Sequence, residues 1–214
     1  MTSTVLLVSA AAALAFIDWW AVARSNRRLE VIAKPATMAV LVTVAVVAGD
    51  APGDVRVWLV IGAVFGLIGD VALLGRGETA FMSGLAAFAI GHLAYVISAT
   101  LVGFDPLWAL PGLAFMVALL GYRFVGRTVP GAHRHGGIVL AGAVAFYAAV
   151  ISAMVLTSWA TAAWIAALGA TLFAVSDWVL GYQRFVAPLP GRNLPVIVPY
   201  HVGQALLILG LATA

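Results

Sequence analysis

The sequence predicts an all-α, polytopic membrane protein with eight transmembrane helices. Of its 214 residues, 64% are apolar and 9% are charged, whereas soluble domains carry about 25% charged residues. A membrane-spanning helix needs about 20 apolar residues. Eight such runs are present, near residues 3–22, 34–49, 55–74, 80–102, 107–125, 137–157, 161–182 and 195–213. Residues 1–214 are therefore expected to form a single transmembrane domain.

Turn-forming residues separate the runs, as in Gly49–Asp54, Gly103–Pro106 and Pro188–Arg192. No basic residue precedes the first run, so residues 4–22 are expected to be a retained helix rather than a cleaved signal. The chain has no cysteine, which excludes disulfides, thiolate metal sites and cysteine nucleophiles. The net charge of +3 lies in residues that flank the spans, so no nucleic-acid partner is expected.

The basic residues predict an orientation for the bundle. Ten of the eleven flank odd-numbered connections: Arg24, Arg27, Arg28, Lys34, Arg76, Arg123, Arg127, Arg134, Arg184 and Arg192. Only Arg56 flanks an even-numbered connection. Since cytoplasmic loops are enriched in Lys and Arg, the odd loops should be cytoplasmic and both termini outside. The protein is expected in the cytoplasmic (inner) membrane of a bacterium.

Two similar stretches, Phe65–Leu74 and Phe173–Leu180, each place an aspartate inside an apolar run. Asp70 and Asp177 are 107 residues apart, which is half of the chain. This spacing predicts two parallel four-helix repeats, residues 1–106 and 107–214, as in some transporters. Evenly spaced helices without a true repeat are the alternative.

An ionisable residue inside a span is costly and indicates a functional site. Small residues precede both aspartates at four-residue spacing, and such residues let helices approach closely. Helices three and seven are therefore expected to pack near the bundle centre with Asp70 and Asp177 facing inward. The alternative is that each aspartate is a structural carboxylate paired with Lys34 or Arg184.

Further polar residues lie within the spans. His92 and Tyr95 share one face of helix four. Tyr200 and Gln204 share one face of helix eight, behind Pro199, which can kink the helix. Tyr147 is the polar residue expected to point inward from helix six. A histidine such as His92 can equally be a packing residue.

Three charged or metal-binding candidates remain open. Lys34-Pro35 is expected to open helix two, and Lys34 can snorkel to the headgroups, bind a lipid phosphate or pair with Asp70. Asp18 can pair with an arginine of the first loop. His133 and His135 form a His-x-His pair, but a zinc site would need two further ligands. No cofactor or metal is expected.

In order and spacing, these motifs resemble the YhhN-like lysoplasmalogenase family. The matching residues are Lys34-Pro35, Gly69-Asp70, Phe81 to Tyr95 with Gly84, Phe88 and His92, Tyr147 with Met154, Ser176-Asp177, Arg184-Phe185, and Tyr200 with Gln204. The resemblance covers helices two to eight. The proline-rich loop after Phe185 departs from the family pattern, and helix one shows no matching signature.

The resemblance implies an eight-helix membrane hydrolase that cleaves the vinyl ether bond of lysoplasmalogens, giving a fatty aldehyde and a glycerophospho-base. It implies Asp70 and Asp177 as the catalytic pair. Vinyl ether hydrolysis needs an acid that protonates carbon and a carboxylate that stabilises an oxocarbenium ion or activates water. Two carboxyl groups in a low-dielectric site can have different protonation states. Glycosidases also use two carboxyl groups in a reaction that passes through an oxocarbenium-like state.

The remaining polar residues complete the predicted site. Water or glycerol hydroxyls are expected at His92, Tyr95, Tyr147, Ser176, Tyr200 and Gln204, and the phosphate at Lys34 and Arg184. The expected partners are a lysophospholipid substrate and membrane lipid. The alternative is a small lipid or proton-coupled transporter, since parallel repeats with intramembrane carboxylates also occur there.

Overall fold

The computed structural model describes residues 2–119 and 126–214, and every regular element in these residues is a helix. The eight helices are α1 (Thr2–Ala23), α2 (Arg27–Val47), α3 (Gly53–Leu73), α4 (Gly77–Val102), α5 (Pro106–Leu119), α6 (Val129–Ala160), α7 (Trp164–Phe185) and α8 (Leu194–Ala212). All except α5 are long and apolar enough to cross a membrane. The all-helical membrane fold is confirmed for these seven. Residues 120–125 of the predicted fifth span, which include Arg123, lie outside the described residues.

The second helix begins earlier than predicted. The side chain of Asn26 accepts a hydrogen bond from the backbone N–H of Leu29 and starts α2 at Arg27. Arg27 and Arg28, predicted to lie in the first loop, therefore belong to the first turn of the helix. Lys34-Pro35 does not open helix two, because Pro35 lies in the helix interior. This shift points Lys34 into the bundle rather than along its rim.

The sixth helix also differs from the prediction. Helical structure starts at Val129, with Pro130 in the first turn, where its missing N–H costs little. The break lies instead at Gly136 and Gly137, and Gly137 has φ +67°, a conformation that favours glycine. A short helix over residues 129–135 thus precedes the long span. His133 and His135 belong to this short helix and not to a loop.

Small residues bring two helix pairs into close contact. A Cβ atom on Gly91 of α4 would lie 3.0 Å from the carbonyl oxygen of Gly62 on α3. A Cβ atom on Gly169 of α7 would lie 2.3 Å from the backbone nitrogen of Leu207 on α8. The prediction that small residues allow close packing is confirmed. However, α3 packs on α4 and α7 packs on α8, and in the described residues no Cα atom of α3 lies within 8 Å of one in α7.

Arginines cap helix ends at the connections. Arg56, the basic residue of the even connections, donates to the carbonyl oxygens of Ala48 and Gly49 at 2.8 and 3.0 Å and so caps α2. Arg192 donates to Ala23 at the end of α1 at 2.8 Å. Arg27 donates to Leu74 at the end of α3. Each guanidinium satisfies carbonyl groups that a helix end leaves free and faces its negative dipole end.

The proposed relation between the two four-helix halves stays a prediction. The close pairing of α3 with α4 and of α7 with α8 is what such a relation would require. The connections α1–α2, α3–α4 and α7–α8 lie at one end of the antiparallel bundle, here named the odd-loop end.

Candidate active site

Asp70 lies in the last turn of α3 and is held by two neighbouring helices. Its carboxylate is 1% exposed, and its Oδ1 is 3.1 Å from Nζ of Lys34 on α2. Tyr200 on α8 donates its hydroxyl to Oδ2 at 2.8 Å. The adjacent Gly69 lets the ring of Phe88 pack directly on α3, since a Cβ atom there would lie 2.7 Å from the ring. Among the alternatives for Lys34, the structure selects the ion pair with Asp70.

Asp177 lies on α7, about two turns from the odd-loop end of that helix. Tyr147 on α6 donates its hydroxyl to the Oδ2 atom of Asp177. Unlike Asp70, Asp177 is partly exposed and has no cation in salt-bridge contact within the described residues. The two predicted carboxylates therefore have different surroundings.

A chain of rings connects the two carboxylates across the gap between α3 and α7. The ring of Tyr200 is 5.2 Å from that of Phe173, and Phe173 is 4.6 Å from His92. His92 is in turn 5.4 Å from Tyr147. Both ring nitrogens of His92 are buried without a hydrogen-bond partner among the described residues. This arrangement supports a polar function for His92 over packing alone, because an unpartnered buried imidazole is costly.

The largest pocket near the carboxylates opens at the odd-loop end and has a volume of about 440 Å³. We name it the basic mouth. Its walls come from α1 to α4, the α3–α4 connection, α7 and α8. Its charged wall residues are Arg27, Glu30, Lys34, Arg76 and Arg184. The ion pair of Lys34 with Asp70 thus lies at the inner wall of an electropositive pocket.

Two small pockets border Asp177. The first, of about 30 Å³, shares Leu73, Phe81 and Leu180 with the mouth and reaches Asp177 and Tyr147. The second, of about 20 Å³, borders Asp177 and Tyr147 from the side of α5. A cavity above about 10–15 Å³ can hold a water molecule. Asp177 therefore has room for water on two sides, while its surroundings are otherwise apolar.

The other predicted residues either lie at the basic mouth or join helices by hydrogen bonds. Arg184 is exposed and its guanidinium lies 5.0 Å from the ring centre of Phe81, at the basic mouth. Ser176 donates to the carbonyl oxygen of Val196 at 2.8 Å and ties α7 to α8. Tyr95 donates to Oε1 of Gln204 at 2.8 Å and ties α4 to α8. Ser176, Tyr95 and Gln204 are not wall residues of the three pockets.

Sequence reasoning missed two residues at the site. Glu30 lies four residues before Lys34 and Phe173 four residues before Asp177, so helical periodicity would have placed each on the face of its neighbour. Asp18, expected near a loop arginine, is instead fully buried with both carboxyl oxygens unpartnered in the described residues. His135 bonds the carbonyl oxygen of Gly131, and no group of three His, Asp or Glu side chains with metal-binding geometry occurs in the described residues.

Comparison with known proteins gives a consistent result. A family model described as the YhhN family matches residues 29–211. The chain is 34% identical over 145 residues to human "Lysoplasmalogenase TMEM86B", which covers 66% of this chain and 58% of that protein. Identity to the mouse protein of the same name is 35% over 162 residues, covering 74% and 66%. Bovine "Lysoplasmalogenase TMEM86A" is 31% identical over 163 residues, covering 74% and 65%.

The chain spans 58–66% of the length of these curated relatives. No solved structure matches it.

Proposed function

The chain belongs to the YhhN family of integral membrane proteins, and from this premise we propose that it hydrolyses the vinyl ether bond of a lysoplasmalogen. The products are a fatty aldehyde and a glycerophospho-base. The observation that carries this proposal is Asp177, a carboxyl group beside Tyr147 with water-sized space around it, in a small pocket that shares wall residues with the basic mouth. The relatives named lysoplasmalogenases support the substrate class.

The shape of the site supports an amphiphilic substrate. The basic mouth offers cationic side chains to a phosphate group, and the pocket beyond it is lined by Leu73, Phe81 and Leu180 before Asp177 is reached. A lysoplasmalogen has the same order of parts, with its vinyl ether between the polar headgroup and the hydrocarbon chain. In the proposal, Arg184 binds the phosphate and Lys34 borders it.

In the proposed reaction, the carboxyl group of Asp177 transfers its proton to the alkenyl carbon β to the ether oxygen. This forms a C–H bond and leaves an oxocarbenium ion. The Asp177 carboxylate then takes a proton from water as the water oxygen bonds to the cationic carbon, which gives a hemiacetal. Asp177 returns a proton to the ether oxygen, and the C–O bond breaks. The hemiacetal hydroxyl gives up its proton to the carboxylate, so the cycle consumes one water.

Asp70 contributes electrostatically in this proposal. It is too enclosed to reach the substrate, and its negative charge is proposed to act on the region of Asp177 from within the protein. Lys34 and Tyr200 hold that charge in place without solvent. A preorganised charge in a low-dielectric site stabilises a developing opposite charge more strongly than water does. Asp70 is therefore proposed to stabilise the oxocarbenium ion.

Hydrogen-bonding residues complete the proposed site. Tyr147 orients the carboxyl group of Asp177, and His92 offers unpartnered nitrogens to water beside Tyr147. Tyr95, Gln204 and Ser176, predicted as substrate ligands, are proposed to act by joining α4 and α7 to α8.

The orientation of the bundle is proposed from charge. The odd-loop end carries nearly all the basic residues, and Arg56 at the other end is used to cap α2. The odd-loop end is therefore proposed to be cytoplasmic, in a bacterial inner membrane, with both termini outside. The chain lacks cysteine, so single cysteines at Ser25 and at Thr213 would react with a membrane-impermeant thiol reagent from opposite sides.

The test of the function is aldehyde release from lysoplasmalogen by purified protein. Asp177→Asn should lower the rate by a hundredfold or more, since general acid–base groups contribute about 10²–10⁴, and should remain folded. Asp50→Asn, which removes an exposed carboxylate from the α2–α3 connection, is the matched control. A saturated ether lysolipid should not be cleaved, because it cannot form the oxocarbenium ion by protonation. Full activity of Asp177→Asn would refute the proposal.

A further inference from the structure

The basic mouth contains an acidic side chain among its cations. Four basic residues line it, Arg27, Lys34, Arg76 and Arg184, and Glu30 stands among them. A pocket that selected only an anion would bind more tightly without this carboxylate. The presence of Glu30 in the wall therefore needs a reason that phosphate binding does not provide.

The four basic side chains of the mouth differ in whether they form ion pairs or hydrogen bonds within the protein. Lys34 is paired with Asp70, and Arg27 contacts both Glu30, at 3.2 Å, and the carbonyl oxygen of Leu74. By contrast, Arg76 and Arg184 have neither an ion pair nor a hydrogen bond within the described residues. Two cations are thus held by the protein itself, and two remain for an incoming anion.

Glu30 is positioned for a ligand as well as for Arg27. Its side chain is 21% exposed, and it sits one turn before Lys34 on the inner face of α2. Its pair with Arg27 is a half-exposed contact between neighbouring turns, and such contacts are weak. A carboxylate in that position can accept hydrogen bonds from an ammonium group without disrupting a strong internal interaction.

We propose that the basic mouth recognises a zwitterionic phospho-base headgroup, with Arg76 and Arg184 on the phosphate and Glu30 on the ammonium group. The choice of ligand rests on the proposed hydrolase function. The 440 Å³ of the mouth is ample for a glycerophosphoethanolamine group. Glu30 is then a specificity-determining residue for the base rather than a catalytic residue.

The proposal makes opposite predictions for two ligands that differ only in the base. The probes are saturated ether lysolipids of one chain length, one with an ethanolamine phosphodiester and one with a glycerol phosphodiester. Neither can be cleaved, so binding is measured apart from turnover, from the concentration dependence of the unfolding temperature of the purified protein. Glu30→Gln should weaken binding of the ethanolamine lipid about threefold to fivefold, as expected for loss of a half-exposed charge pair. The same variant should strengthen binding of the glycerol lipid by a similar factor.

Two further variants separate this effect from a structural one. Glu78→Gln removes another carboxylate from the first turn of a helix at the same end of the bundle, outside the mouth wall, and should change neither affinity. Arg76→Gln should weaken the binding of both lipids. The proposal would be overturned if Glu30→Gln lowered the affinity for both lipids or changed neither affinity.

The binding test and the activity test fail independently. If Glu30→Gln shifts the two affinities in opposite directions but the protein releases no aldehyde from lysoplasmalogen, the headgroup site is supported and the proposed reaction is refuted. If aldehyde is released but the affinities do not shift in opposite directions, the reaction is supported and the role of Glu30 is refuted.

Discussion

Replacing Lys34 by methionine should destabilise the protein more than replacing its partner Asp70 by asparagine. Lys34→Met leaves a carboxylate that is 1% exposed with only the Tyr200 hydroxyl as a partner. Asp70→Asn leaves an ammonium group whose side chain is 12% exposed and borders the basic mouth, so it can reach water. Loss of either partner of this ion pair should therefore destabilise the protein to a different extent, because only the unpaired Lys34 ammonium group can reach water.

The magnitudes follow from burial. Removing one partner of a buried ion pair costs about 3–5 kcal/mol, so Lys34→Met should lose about 4 kcal/mol. Asp70→Asn should lose about 2 kcal/mol, the usual cost of a disrupted buried hydrogen-bonded group. The double variant strands no charge and should lose little more than Asp70→Asn alone. The coupling between the two sites should then be at least about 2 kcal/mol.

Thermal unfolding in detergent measures this cycle. At about 2–4 °C per kcal/mol for a chain of this size, Lys34→Met should lower Tm by roughly 10 °C and Asp70→Asn by roughly 5 °C. Equal losses, or losses that add in the double variant, would refute the reasoning. The double variant should also remain inactive although it is folded, because it lacks the charge proposed to stabilise the oxocarbenium ion.

Three further measurements test the packing, the helix ends and the chemistry. Gly169→Ala puts a Cβ atom 2.3 Å from a backbone nitrogen of α8 and should lower the free energy of unfolding by about 2 kcal/mol or more. The control Gly142→Ala, whose new Cβ atom has nothing within 4 Å, should leave the stability unchanged or raise it. Unfolding temperatures distinguish the two variants, and equal effects would contradict the close-packing argument. Arg56→Met removes the guanidinium that caps α2 and should cost about 1–2 kcal/mol in the same assay, and an unchanged Tm would show the cap to be dispensable. Aldehyde release should be unchanged by a chelator such as EDTA, because a carboxyl group is proposed to supply the proton; loss of activity that added metal restores would refute this mechanism.

Most of the helix bundle could be predicted because lipid leaves a spanning chain no alternative to a helix. Composition and turn residues locate the apolar runs well. The errors occur where charged residues or a proline predict a loop. At the start of α2, Asn26 caps a helix whose first turns are charged. At α6, the break lies at Gly136 and Gly137 instead of Pro130, because proline in a first turn starts a helix and consecutive glycines can end one.

The site was predicted less completely, because a polar residue in a span indicates function but not its partner. The sequence places Tyr147 and Tyr200 on inward faces, yet it does not say which tyrosine meets which aspartate. That pairing depends on which helices are neighbours, and in the described residues α3 packs on α4 whereas α7 packs on α8. Tyr200 therefore reaches Asp70 from α8 and Tyr147 reaches Asp177 from α6. The half-chain spacing of the aspartates carries no information about these contacts.

The packing of the bundle favours a site with one entrance over a transport path. At the end opposite the odd-loop end, Leu59 on α3 and Leu211 on α8 are fully buried, and a pocket of about 200 Å³ there is confined to the ends of α7 and α8. There α7 and α8 approach so closely that Gly210 has no room for a Cβ atom beside Ala166. Alternating access would have to separate these surfaces in every cycle, against the dense packing that small residues allow. Hydrolysis requires no such opening, since substrate and water can both arrive through the basic mouth, where the charges and the largest pocket near the carboxylates occur together.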